Sequence, residues 1–90
     1  MNIAFNKMIH FSRLVKIDGR LREFNYRKNN NAGVYVFDVD TADDRGNRIF
    51  MRLLKEDNEW QLTSKQELPP WIADHKEQLV TELEEGLTEN

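Results

Sequence analysis

The stretch VKIDGRLREF, residues 15–24, constrains the fold of this chain more than any other. Asp18-Gly19 stands between two runs that alternate apolar and polar residues. Both central positions of a type I′ turn need positive φ, which Asp and Gly tolerate, so the pair marks a two-residue β-hairpin. Such a turn fixes the register. Ile17 faces Arg20, Val15 faces Arg22, Arg13 faces Phe24 and Phe11 faces Tyr26. That register collects Phe11, Val15, Ile17, Phe24 and Tyr26 on one side of the pair, so turn chemistry and face pattern agree. Ala4, Met8, Phe11 and Val15 also fit helical spacing, which leaves a helical start to the first segment as the competing reading.

The hairpin sets a pattern that the rest of the chain follows. After the NNNAG loop at 29–33, VYVFDVDT reads as a β-branched and aromatic strand. It puts Tyr35, Phe37 and Val39 on one face and Val34, Val36, Asp38 and Asp40 on the other. RIFMRLLK follows, with Ile49, Met51 and Leu53 on one side and Phe50 and Leu54 on the other. Apolar residues on both sides predict a central or doubly covered strand. Asp57-Asn58 turns the chain into EWQLTS. The period then changes. Pro70 suits a first helical position, and Ile72, His75, Lys76, Leu79, Leu83 and Leu87 share one helical side. Trp71 and Val80 lie at its edges, and Gly86 suits a C-cap. Glu82, Glu84 and Glu85 have the wrong sign for the end of a helix dipole, and the basic first hairpin is the nearest candidate to offset them.

The expected fold is therefore α+β, a single domain over residues 1–90. It is an antiparallel meander of four to five strands, at about 8–17, 20–28, 34–41, 48–55 and 59–64. One C-terminal amphipathic helix, at about 70–86, packs on one face. The aromatic face of Phe11, Phe24, Tyr26, Tyr35, Phe37 and Trp60 is expected to take the helix.

Composition then narrows function. With 39% hydrophobic and 32% charged residues, the chain has an ordinary globular balance and not a disordered one. It has no cysteine, so disulfides, thiolate metal sites and cysteine nucleophiles are excluded together. The lack of staples and of an apolar leader points to the cytoplasm, with no membrane span. The net charge of -3 is uneven. Residues 1–31 carry seven basic and two acidic side chains, a net of +5; residues 32–90 carry six and fourteen, a net of -8. A basic half of this kind either marks a nucleic-acid surface or is neutralised within the fold.

FDVDTADDRGNRIF, residues 37–50, is the one acidic cluster that invites a metal reading. An EF-hand loop needs a D-x-[DN]-x-[DN]-G spacing with a later glutamate. Counting from Asp38, the third ligand position holds Ala42 and the glycine position holds Asp43, so the template fails. Arg45 and Arg48 also compete for the carboxylates. The stretch reads as a solvated strand face that ends in a charged turn. No metal and no cofactor is expected. Catalysis finds little support either. His10 and His75 are the only histidines, Ser12 and Ser64 the only serines, and no third group completes a triad. A non-enzyme is expected.

Two binding surfaces remain. If the helix covers one sheet face, the other still carries Leu14, Leu21, Val34, Val36, Phe50 and Leu54. As a contiguous patch these would take a protein partner, with a two-fold homodimer the commonest solution. The alternative is single-stranded nucleic acid on the first hairpin, where Arg13, Lys16, Arg20, Arg22, Arg27 and Lys28 interleave with Phe11, Phe24 and Tyr26. Buried aromatics would leave no stacking platform.

Two resemblances accompany these readings. GVYVFDVDTADDRGNRIFMRL and WQLTSKQELPPWI make the chain resemble small uncharacterised bacterial domains of unknown function. That resemblance implies a fold and a cytoplasmic bacterial setting, and no chemistry. The strands-then-helix order, with PPWIADHKEQLVTEL last and a tryptophan near the helix start, loosely resembles the transcriptional coactivator PC4 family. Its dimeric sheets bind single-stranded DNA. The likeness is one of element order over the last two thirds of the chain.

Overall fold

The fold comes from a computed structural model that describes residues 9–30 and 35–89. Five antiparallel strands form one open sheet in chain order: β1 (His10–Ile17), β2 (Arg20–Lys28), β3 (Val36–Ala42), β4 (Arg48–Glu56) and β5 (Glu59–Thr63). Two helices follow, α1 (Pro70–Ala73) and α2 (Lys76–Glu89). The expected α+β meander with C-terminal helical cover is what the chain adopts.

The first hairpin has the register that its turn dictates, from Ile17 opposite Arg20 to Phe11 opposite Tyr26. Asp18 and Gly19 both have positive φ, 51° and 82°. Asp57 and Asn58 do the same between β4 and β5, at 52° and 66°, so both tight turns have the twist that matches antiparallel strands. The longer β3–β4 connection closes on Asp43. Its carboxylate accepts the amide N–H groups of Arg45 and Asn47 at 2.9 and 2.8 Å. These bonds, that of Asn47 foremost, hold the Asp43 carboxyl below its ordinary value.

One face of the sheet makes the core with the helices. Val15, Ile17, Phe24, Tyr26, Phe37, Val39, Met51 and Leu53 are buried there against Ile72, Leu79 and Leu83. Each fully buried side chain of this size contributes about 1.5–3 kcal/mol. The Tyr26 hydroxyl donates to the Leu79 carbonyl at 2.9 Å. Burial, with Glu82 nearby, pushes that phenol well above its ordinary range. Thr41, also buried, donates to the Glu23 carbonyl at 2.7 Å, just past the point where the β2–β3 ladder ends.

Three expectations need correction. The single helix at about 70–86 is broken at Asp74–His75. The Asp74 and His75 amides turn back onto Pro70 and Ile72, and α2 starts afresh. The break lets Ile72 enter the core while α2 lies along β1. Gly86 is not a C-cap, because α2 runs on to Glu89 and Gly86 is buried in it against the Phe11 ring. Tyr35 does not join the core. It precedes β3, is 54% exposed, and lies under the Lys55 ammonium. β4 is the central strand that its two-sided apolar pattern predicts, paired with β3 and β5, and Phe50 on its open side is 60% exposed. Ile3, Phe5, Ala4, Met8 and Val34, which bear on the start of the chain and on the open face, lie outside the described residues. Among the described residues, no helix is long and apolar enough to cross a membrane.

The acidic end of α2 is offset where its composition suggests. Arg13 of β1 donates to Glu82, Glu85 and Glu89 at 2.8, 3.2 and 2.7 Å, and its pairing with Glu82 above all raises its own proton affinity. Glu84 instead accepts from the Trp60 indole at 3.2 Å.

Candidate interaction face

The open face can be read row by row from the register. One row runs His10, Arg27, Asp38, Arg52, Thr63, and the next runs Ser12, Asn25, Asp40, Phe50. Polar side chains link across these rows. Ser12 donates to Asn25 at 2.5 Å, Asn25 to Asp40 at 3.0 Å, Asn29 to Asp38 at 2.9 Å and Arg52 to Asp38 at 3.0 Å. Arg48 pairs with Asp40. The centre of this face is thus a cross-strand polar ladder, and the apolar residues lie around it.

The five apolar candidates among the described residues separate into groups instead of forming one patch. Leu14 and Leu21 are diagonal neighbours near the first turn, 62% and 66% exposed. Phe50 stands alone opposite Asp40. Beside it a groove of about 620 Å³ is lined by Asp38, Arg52, Thr63, Ser64 and Gln66. Val36 and Leu54 face each other at the far end, the first buried and the second half-buried.

The acidic stretch is no free cluster of carboxylates. Asp44 pairs with Arg20 at 2.9 Å and Arg22 at 3.2 Å. Asp38 and Asp40 hold Arg52 and Arg48, and Asp43 caps its own loop. The expectation of a merely solvated face therefore understates the region, because every one of these carboxylates has a partner within the chain. Among the described residues, no three His, Cys, Asp or Glu side chains converge as ligands would.

Part of the basic hairpin is likewise paired within the chain. Arg13 bridges to α2. Arg22 lies over the Trp71 ring at 3.8 Å and pairs with Asp44, and Arg20 shares that carboxylate. Phe24 and Tyr26 are buried, and Phe11 stacks on Tyr26 at 5.3 Å. Lys28 lies 5.7 Å over the Phe37 ring, while Lys16 and Arg27 are exposed. The hairpin thus offers no row of exposed aromatics.

No protein-family model, curated protein or solved structure matches the chain. Function has to be argued from the residues themselves.

The catalytic candidates are dispersed. His10 and Ser12 lie on the open face at the β1 edge. His75 lies 3.8 Å from Asp18 on the other side, with its Nδ1 buried and unpartnered. Ser64 donates to the Phe50 carbonyl at 2.7 Å. What the sequence does not announce is how the two sheet edges are treated. Phe50, past the end of β5, has its N–H taken by the Gln66 side chain and its C=O by Ser64. Along β1, Gln78 of α2 reaches one carbonyl, that of Lys16, at 2.9 Å. A glutamine on the polar side of an amphipathic helix gives no sequence signal for this.

Proposed function

We propose that this chain is a small, non-catalytic protein-interaction domain that meets its partner at the open sheet surface. The observation that carries the reading is the corner of Leu14 and Leu21. These two large apolar side chains adjoin each other, are more than 60% exposed, and border a strand edge. The other aliphatic side chains of the first hairpin, Val15 and Ile17, are buried. Isolated exposed leucines need no partner, but an adjacent pair at an edge is the nucleus of an interface. A second copy of the chain is the simplest partner, and a cytoplasmic setting belongs to the same reading.

Sedimentation velocity from about 20 µM to about 1 mM covers the range of a weak two-fold contact. The expected result is reversible association that disappears in the Leu14→Ser/Leu21→Ser variant, with thermal stability unchanged within about 0.5 kcal/mol. Association that persists in the variant would remove the corner from the reading. A monomer throughout would remove the second copy as partner. Binding of a short single-stranded oligonucleotide, with shifts at Lys16, Arg27 and Lys28, would replace the protein reading with the nucleic-acid one.

A further inference from the structure

We infer that the outer edge of β1 is a strand-addition site for an extended segment of a partner protein, apolar on one side and basic on the other. The inference rests on the reading of the chain as an interaction domain and names the kind of partner. It starts from the hydrogen-bond phase of the first hairpin. Ile17 faces Arg20 across a two-residue turn, so the odd residues of β1 bond to β2. The Lys28 N–H donating to the Ile9 carbonyl at 2.9 Å continues that phase. The even residues, His10, Ser12, Leu14 and Lys16, therefore aim their N–H and C=O groups away from the sheet. The Gln78 bond to the Lys16 carbonyl shows the same phase from outside. Among the described residues, nothing bonds the outward backbone groups of Ser12 and Leu14. An unpaired edge of this kind is a template for another strand.

The surroundings of the edge select what would pair. A groove of about 540 Å³ runs there, with Leu14 and Leu21 on one wall and Glu77, Gln78, Thr81 and Glu82 of α2 on the other. Side chains of an added strand alternate between those walls. On the sheet side they meet exposed leucine. On the helix side they meet Glu77 and the carboxylates of Glu82, Glu85 and Glu89, against which, among the described residues, Arg13 pairs with the last three and Lys16 lines the groove. The complement is an extended segment in which lysine or arginine alternates with an aliphatic residue. The strand edge supplies affinity through main-chain bonds, and the two walls supply register and charge selection.

The probe is a capped hexapeptide alternating lysine with valine, compared with one alternating glutamate with valine. The assay is ¹⁵N–¹H correlation spectroscopy with amide exchange. The lysine peptide is expected to shift Ser12, Leu14 and Glu77 and to slow exchange at the Ser12 and Leu14 amides, and the glutamate peptide to bind at least about tenfold more weakly. Leu14→Pro removes one outward N–H at an edge where proline is tolerated, and should abolish the protection. Glu77→Lys, at an exposed position, should weaken binding about fivefold without touching the fold. No shifts at millimolar lysine peptide would overturn the inference. So would shifts without protection at Ser12 and Leu14, slow exchange of those amides in the free monomer, or their protection in a dimer of the chain. Loss of self-association in the Leu14→Ser/Leu21→Ser variant alongside peptide failure would sink the edge site and leave the interaction domain standing.

Discussion

Gly86→Ala sets two well-measured effects against each other at one position. Gly86 lies inside α2, where alanine is the better helix former by about 1 kcal/mol. Helix propensity alone therefore predicts stabilisation. The structure predicts the opposite sign. A Cβ at position 86 would stand 2.1 Å from Cε2 of Phe11, 2.5 Å from its Cζ and 2.7 Å from its Cδ2. Comfortable carbon–carbon contact is about 3.5–4.0 Å, so the ring must retreat by more than about 1 Å. It cannot do so freely, because it stacks on buried Tyr26 with centroids 5.3 Å apart and planes 18° apart. Disturbing such a pair forfeits about 0.5–1.5 kcal/mol, and overpacking as a whole costs about 1–3 kcal/mol.

The balance is a net loss of up to about 2 kcal/mol. For a domain of this size each kcal/mol lowers Tm by about 4–8 °C. Urea and thermal unfolding followed by far-ultraviolet circular dichroism measure it. A second background isolates the cause. In Phe11→Ala the obstruction is gone, and Gly86→Ala should turn stabilising by up to about 1 kcal/mol, a coupling within the range expected for residues in contact. If Gly86→Ala stabilises the wild-type chain, or if its effect is the same in both backgrounds, the close approach of α2 to β1 at Phe11 is refuted.

Three more predictions test the polar anchors. Tyr26 has its phenol raised by burial, so the stability it lends is complete below the ordinary phenol value near pH 10 and is lost as pH rises through the folded value. Tyr26→Phe should cost about 1 kcal/mol at neutral pH for the lost bond to Leu79 and should flatten the alkaline limb of a Tm-against-pH series. The Asp43 carboxyl, lowered by the Asn47 and Arg45 amides, lends stability above the ordinary carboxylate range that is lost as pH falls through its folded value. Asp43→Ala should flatten the acid limb and speed amide exchange at Asn47. Arg13→Gln should lower Tm, and the difference from wild type should shrink in 1 M salt relative to about 0.05 M salt, because three glutamates then repel without their counter-ion.

What was legible in the sequence was local. The Asp18-Gly19 turn fixes a register, the register fixes faces, and the strand order of a meander follows from short turns between alternating runs. Pro70 at the helix start and the Ile72, Leu79, Leu83 side of the helix belong to the same class. The errors came where one residue type serves two geometries. Gly86 near the end of a helical pattern reads as a cap, yet here its missing side chain makes room for a ring from β1. Tyr35 shares the parity of Phe37 but lies before the strand begins and stays exposed. The break at Asp74–His75 has no proline or glycine to announce it.

The uneven charge shows why the functional question was harder than the fold. A +5 segment followed by a -8 segment is compatible with a polyanion site, because sequence alone cannot tell a free cation from a paired one. In the fold, Arg13 goes to α2, Arg20 and Arg22 go to Asp44, and the later arginines Arg48 and Arg52 go to Asp40 and Asp38. The Arg48 and Arg52 pairs are local to the β3–β4 hairpin, but Arg20 and Arg22 reach a distant loop and Arg13 reaches a helix up to 76 positions along the chain, so no local pattern encodes those. The aspartates of residues 37–50 thus each have a partner within the fold, as do Arg13, Arg20 and Arg22 of the first hairpin, while Arg27 is exposed. The pairing is not complete along β1. Beyond Arg13, the edge has one exposed lysine, one glutamine bond and a row of acidic helix residues beside open backbone groups. Among the described residues, the charge that α2 sets beside the edge is therefore of opposite sign to the charge of the segment that carries it. That reversal follows from where α2 lies, and it is why an edge on the basic half of the chain is complementary to a basic partner.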